Sequence, residues 1–229
     1  MIISHKYKFI FLKTAKTAGT SLEIALSRFC GENDIITPIV EEDEAIRKSL
    51  GYPGPQNYKF LPITAEKKLF KEPKSMTFYN HISAREIRSW LHDEIWDEYY
   101  KFCFERNPWE RVISLYYHYI SYLTEEEKLL SFSDFINLDL ITGLRQWGFN
   151  IYTINNEIVV NKVYLYENLE AELENIFLQL NLPGKILLPR AKGTYRKDKK
   201  SSKIMFNQKE IEKIAQLFEK EIKLFGYKI

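Results

Sequence analysis

An apolar run of strand length, a short lysine- and threonine-rich loop and a helical pattern follow one another near the start of the chain. This succession constrains the fold more than anything else in the sequence. Residues 7–12 (YKFIFL) have the length and composition of a strand. Residues 13–19 are polar and small, and within residues 20–29 Leu22, Ala25, Leu26 and Phe29 recur at helical spacing, with Gly31 just past the end. Strand, small-residue loop and helix make the opening of a βα unit.

Later segments extend the pattern. Residues 41–50 predict a short helix stopped by Gly51, and the proline- and glycine-punctuated residues 52–62 a loop. Ser83 with Glu86 fits a capping box, starting a helix that runs to about residue 92. Residues 99–105 predict a second strand, and Pro108 suits the first position of a helix continuing over residues 109–123. Residues 151–154 and 158–160 predict a hairpin about Asn155 and Asn156, and residues 163–166 another strand, followed by a helix over residues 169–180. Asn207, with Glu210 three residues on, caps a last helix reaching about Phe225. Strands alternating with helices, without repeats or a clear linker, predict one α/β domain over residues 1–229 with a mostly parallel central sheet flanked by helices.

Composition narrows the class. At 229 residues, 45% hydrophobic and 28% charged, the chain can bury a real core and is neither disordered nor collagen-like. It has no apolar run near the roughly 20 residues of a membrane span and no signal-peptide pattern. Its two cysteines, Cys30 and Cys103, lack flanking ligand pairs, so neither a disulfide framework nor a metal site is expected. These features predict a soluble, cytoplasmic protein. The net charge of +2 hides an asymmetry: residues 185–229 carry 13 basic and 5 acidic side chains, the remaining 184 carry 20 and 26. Within residues 190–203 there are seven basic residues and one acidic one. A basic segment on a slightly acidic body suggests a local anion site rather than a nucleic-acid surface. A solvated charged loop is the competing reading.

Two segments carry chemistry. In Lys13-Thr14-Ala15-Lys16-Thr17-Ala18-Gly19-Thr20-Ser21, small residues let backbone N–H groups approach an anion at a helix N-terminus. Lys16 adds a full charge, and Thr17, Thr20 and Ser21 add hydroxyl donors. The order is not the Walker form, because Lys16 precedes Gly19. An ordinary βα turn with a threonine cap is the alternative. In Arg106-Asn107-Pro108-Trp109-Glu110-Arg111-Val112-Ile113-Ser114, Arg106 precedes a helix where its guanidinium can fork onto a phosphate. Ser114, eight residues on, lies about 80° around an ideal helix from it. Alone, this segment reads equally as a surface arginine and an ordinary helix serine.

Together the two segments resemble the sulfotransferase family. KTAGTS after a strand resembles the 5′-phosphosulfate loop of its carbohydrate group, and RNPWERVIS resembles the 3′-phosphate motif. Tyr166-Glu167-Asn168-Leu169 resembles the family's strand-ending Y-E-D-L, and Phe225-Gly226-Tyr227 the C-terminal F-G-Y of glycosaminoglycan-type members. The resemblance implies a P-loop-like three-layer α/β fold. It also implies transfer of a sulfuryl group from 3′-phosphoadenosine 5′-phosphosulfate (PAPS) to an acceptor hydroxyl, on a carbohydrate or glycolipid. By resemblance Lys16 is the catalytic lysine, and Lys13, Thr17, Gly19, Thr20 and Ser21 belong to the loop around the 5′-phosphosulfate. Arg106 and Ser114 fall on the 3′-phosphate pair, and Tyr166 on a tyrosine near the nucleotide. Arg190, Lys192 and Gly193 sit where relatives place a basic loop over the donor. Ala15 replaces the usual proline and Ala18 the first glycine, so Ala18 is expected to keep φ negative.

A general base is sought among four histidines. His81, between the two nucleotide motifs and just before a capped helix, is the candidate, with a buried Glu or Asp as competitor. His118, in the aromatic stretch Tyr116-Tyr117-His118-Tyr119, is assigned to packing, and His5 and His92 to the surface. The expected partners are therefore a small-molecule donor and a carbohydrate-like acceptor, without nucleic acid or a membrane span; peripheral membrane contact stays open. A nucleotide kinase-like enzyme and a non-catalytic nucleotide or acidic-glycan binding module are the rivals.

Overall fold

The computed structural model describes residues 1–60, 76–124, 130–185, 187–189 and 205–229. Arg190, Lys192 and Gly193, with the basic segment around them, lie outside the described residues.

The central sheet has five strands: β1 (Ile2–Ser4), β2 (Phe9–Phe11), β3 (Ile35–Ile36), β6 (Tyr100–Glu105) and β9 (Lys162–Leu165), in the order β3-β1-β2-β6-β9. β2, β6 and β9 run parallel, with Phe11 opposite Phe102 and Glu105 opposite Leu165. β1 runs against both β2 and β3, so four of the five strands share one direction and the sheet is mostly parallel, as expected, with β1 the one reversed strand. The reason is local: the chain turns between Ser4 and Phe9 and pairs its first strand back on β2 as a hairpin, whereas parallel neighbours need a crossover.

Side chains alternate across β2 and β6, as strand geometry requires. Phe9, Phe11, Phe102 and Phe104 enter one buried cluster with Leu22 and Leu26 of α1 (Gly19–Ser27) and Leu173 and Ile176 of α9 (Leu169–Gln179). Ile10, Leu12 and Cys103 point the other way. They pack with Ile87 of α3 (Ala84–Trp90), Trp96 of α4 (Asp93–Glu98) and Phe149, Ile151 and Tyr152 of α8 (Phe149–Tyr152). Helices thus cover both faces of the sheet, which explains why these strands read as continuous apolar runs.

A third cluster stands beside the sheet. It is built from α5 (Pro108–Ile120), α6 (Phe132–Ile136), α7 (Leu140–Gln146) and the C-terminal helices α10 (Gln208–Leu217) and α11 (Glu219–Phe225). Ala15 of the first loop belongs to it as well. The predicted last helix is broken at Phe218, which is fully buried, so the break lets α10 and α11 follow the core instead of a straight line. Both predicted capping boxes form, at Ser83 with Glu86 and at Asn207 with Glu210. The predicted hairpin is β7 (Thr153–Ile154) with β8 (Glu157–Ile158), turned at Asn155 and Asn156, both at positive φ. Residues 151 and 152, expected in it, instead end α8. A short α2 (Glu41–Ser49), the pair β4 (Lys59–Phe60) and β5 (Met76–Thr77), and a 3-10 turn at Tyr166–Asn168 complete the described elements. No helix among the described residues is long and apolar enough to cross a membrane.

Candidate active site

A cavity of about 220 Å³ opens beyond the C-terminal ends of β2, β6 and β9. Crevices at that end of a parallel run are where open α/β sheets hold ligands. Its wall includes Lys16, Gly19, Thr20 and Ser21 from the first loop, Arg106 and Ser114 from the second motif, Tyr166 after β9, and His81. Four segments far apart in sequence therefore supply one cavity.

The loop after β2 is anchored from below. Thr14 Oγ1 donates to the Phe104 carbonyl at 2.5 Å and shares a hydrogen bond with Thr17 Oγ1 at 2.8 Å. Thr17 is fully buried and does not line the cavity, so its hydroxyl serves the loop itself. Gly19 packs too closely for a side chain: a Cβ there would lie 2.8 Å from Lys13 Cγ and 3.1 Å from the Thr14 carbonyl. Ala18 corrects the sequence expectation, since it adopts φ 59° as the N-cap of α1, and Lys16 is also left-handed at φ 64°. Ala18 accepts the first helical hydrogen bond, from Leu22 N–H at 3.0 Å. The tight entry into the helix keeps the backbone shape a glycine would take, and the smallest Cβ limits the strain.

Lys13 lines the cavity but is buried, and its ammonium pairs with Glu23 at 2.8 Å. Burial alone would raise the Glu23 carboxyl, but Lys13 and the N-terminal amine outweigh it and hold it at about 2. The Lys13 carbonyl accepts a hydrogen bond from His81 Nδ1 at 2.8 Å. A carbonyl can only accept, so Nδ1 carries the proton and Nε2 keeps its lone pair. Burial first, and the Lys13 charge second, lower the His81 pKa to about 4. The ring is therefore neutral near pH 7 and able to accept a proton.

Arg106 is held on three sides. Its guanidinium lies 4.3 Å from the centre of the Tyr166 ring, donates to the Lys16 carbonyl at 3.3 Å and pairs with Glu110 at 3.4 Å. Glu167 accepts from Asn107 N–H at 2.7 Å, and Asn107 Nδ2 donates to the Lys228 carbonyl at 2.7 Å. The segment after β9 and the C-terminus thus brace the second motif. Gly226 closes α11 in the left-handed region at φ 67°, which turns Tyr227 back towards the core.

Two features escaped the sequence reading. His118 also lines the cavity rather than only packing; its place four residues after Ser114, on the same helix face, was the available signal. Glu105 and Arg111 form a fully buried ion pair at 2.7 Å under both motifs, a partnership that no spacing rule announces. Among the described residues, no group of three His, Cys, Asp or Glu side chains is placed to hold a metal ion.

The sequence of an uncharacterized protein from Archaeoglobus fulgidus is 32% identical over 117 residues, covering 48% of this chain and 94% of that relative. No solved structure matches. A model of the sulfotransferase family matches residues 1–228, essentially the whole chain. On that match the protein belongs to the sulfotransferase family, whose members are enzymes of sulfate transfer.

Proposed function

We propose that the cavity binds PAPS and that the enzyme moves its sulfuryl group to an acceptor hydroxyl, on a carbohydrate or glycolipid. The observation that carries this reading is the meeting of Lys16, Arg106, Ser114, Tyr166 and His81 around one cavity. Arg106 and Ser114 take the 3′-phosphate, with Tyr166 fixing the guanidinium from behind. The loop with Gly19, Thr20 and Ser21 takes the 5′-phosphosulfate at the N-terminus of α1. Lys13, committed to Glu23, contributes through its charge and through the carbonyl that orients His81. The carbohydrate-type acceptor rests on the resemblance of KTAGTS and of Phe225-Gly226-Tyr227 to carbohydrate and glycosaminoglycan enzymes.

The step follows from these roles. As the acceptor oxygen forms its bond to sulfur, the bond from sulfur to the bridging phosphate oxygen breaks, and the electron pair stays on that oxygen. Lys16 and the loop amides stabilise the growing charge, the large electrostatic contribution in such transfers. His81 Nε2 accepts the proton that the acceptor hydroxyl loses. A depressed pKa keeps the imidazole in the accepting form, and an anion bound nearby would raise its basicity.

Turnover of labelled PAPS with a panel of carbohydrate acceptors tests the reading. Lys16→Ala is expected to lower kcat by about 100-fold or more. His81→Ala is expected to lower turnover by about 10- to 100-fold while leaving PAPS affinity within about threefold. Wild-type turnover in Lys16→Ala would overturn the assignment of the loop. Unaltered turnover in His81→Ala would remove that residue from the mechanism.

A further inference from the structure

The two anion-binding motifs rest on one buried ion pair. Glu105, the last residue of β6, precedes Arg106, and one of its oxygens accepts from the Arg106 N–H at 3.0 Å and from Arg111 Nη1 at 2.7 Å. Its other oxygen accepts from the Tyr152 hydroxyl at 2.9 Å. The same guanidinium reaches the first motif: Arg111 Nε donates to the carbonyl of Ala15, the residue before Lys16, at 2.9 Å. Nη2 donates to the carbonyls of Leu144 at 3.0 Å and Trp147 at 3.2 Å. The Trp147 carbonyl also accepts from the Ala15 N–H at 2.7 Å. Glu105 and Arg111 are 0% and 1% exposed, and the guanidinium fills the space a side chain at 148 would need, since a Cβ on Gly148 would lie 2.2 Å from Nη2.

We propose that Arg111, held by Glu105 and Tyr152, is a positioning residue that sets the distance between Lys16 and Arg106. The inference rests on the functional reading above and extends it. A buried ion pair is a poor source of net stability, because desolvation offsets the attraction. What it supplies here is geometry: a planar, five-donor fork addresses both motifs at once, and the three donors of a lysine radiate from a single nitrogen that cannot copy it. In-line transfer is sensitive to such geometry, since misplacement by about 1 Å can cost about 100-fold. Lys16 acts on the breaking bond and Arg106 on a phosphate away from it. A loosened fork should therefore reduce kcat more than donor binding.

Arg111→Lys and Tyr152→Phe test this, with kcat and KM for PAPS read alongside amide exchange of residues 13–21. Arg111→Lys is expected to lower kcat about 10- to 100-fold with KM within about threefold, and to speed exchange in residues 13–21 about tenfold. Tyr152→Phe removes a hydroxyl that bonds Glu105 rather than the loop. It should nonetheless shift kcat and exchange in residues 13–21 in the same direction, by less. It also decides the matter if Arg111→Lys does not fold. Variants that only lower the melting temperature, with kcat and exchange in residues 13–21 at wild-type values, overturn the proposal. If the wild-type enzyme does not turn over PAPS, the functional reading fails, and the exchange measurement still decides whether this ion pair positions the loop.

Discussion

Lys16 and Ala18 hold left-handed backbone in a loop that must close tightly on its way into α1. For a residue with a Cβ that conformation costs about 1–2 kcal/mol. Ala18→Gly should recover most of it and lose about 0.5–1 kcal/mol to the freer unfolded chain. The net expectation is a stabilisation of up to about 1 kcal/mol, seen as a melting temperature raised by about 2–4 °C. A lowered midpoint would contradict left-handed Ala18. At this scale the residues that meet around the cavity were legible because their types are few and their order is informative: Lys16, Arg106, Ser114 and His81 could be named from spacing and resemblance. The sign of φ at Ala18, the inward-facing hydroxyl of Thr17 and the pairing of Glu105 with Arg111 were not. Each depends on what the chain meets after folding.

Elements follow the same division. β2, β6 and β9 stood out as apolar runs of strand length and α1 by apolar residues at helical spacing, whereas α3 and α5 were marked by their starts, a capping box at Ser83 and Pro108 at the first helical position. β1 and β3, three and two residues long, exist only through pairing with neighbours, and no local pattern marks so short a strand. The break at Phe218 was hidden for the opposite reason: helical spacing continues across it, and only packing against the third cluster divides α10 from α11. Capping boxes, by contrast, are local and were readable. Ser83 Oγ accepts from Glu86 N–H at 3.3 Å, and the Glu86 carboxylate bonds back to Ser83. Ser83→Ala should cost about 1 kcal/mol, lowering the melting temperature by about 2–4 °C. An unchanged midpoint would mean that the cap does not hold α3.

For the whole molecule, His81 in the cavity wall and Glu23 behind it, paired with Lys13, bring buried titrations into its stability. His81 takes its proton near pH 4 in the folded chain, against 6.5 for a free histidine. The unfolded chain therefore binds more protons between those values, and stability falls as pH drops from about 6.5 towards 4. Glu23 repeats the sign lower down, from 4.5 towards about 2. Melting temperature against pH should show the upper decline in the wild type and a flatter curve in His81→Gln; a wild-type curve flat from pH 7 to 4 would contradict a buried neutral imidazole. The central claim concerns what this cavity holds, and thermal-shift titration with adenosine 3′,5′-bisphosphate, PAPS and ATP tests it most directly. The account predicts that adenosine 3′,5′-bisphosphate and PAPS raise the melting temperature in a saturable way, while ATP does so weakly at the same concentrations. Preference for ATP, or no shift with either 3′-phosphorylated nucleotide, would contradict it.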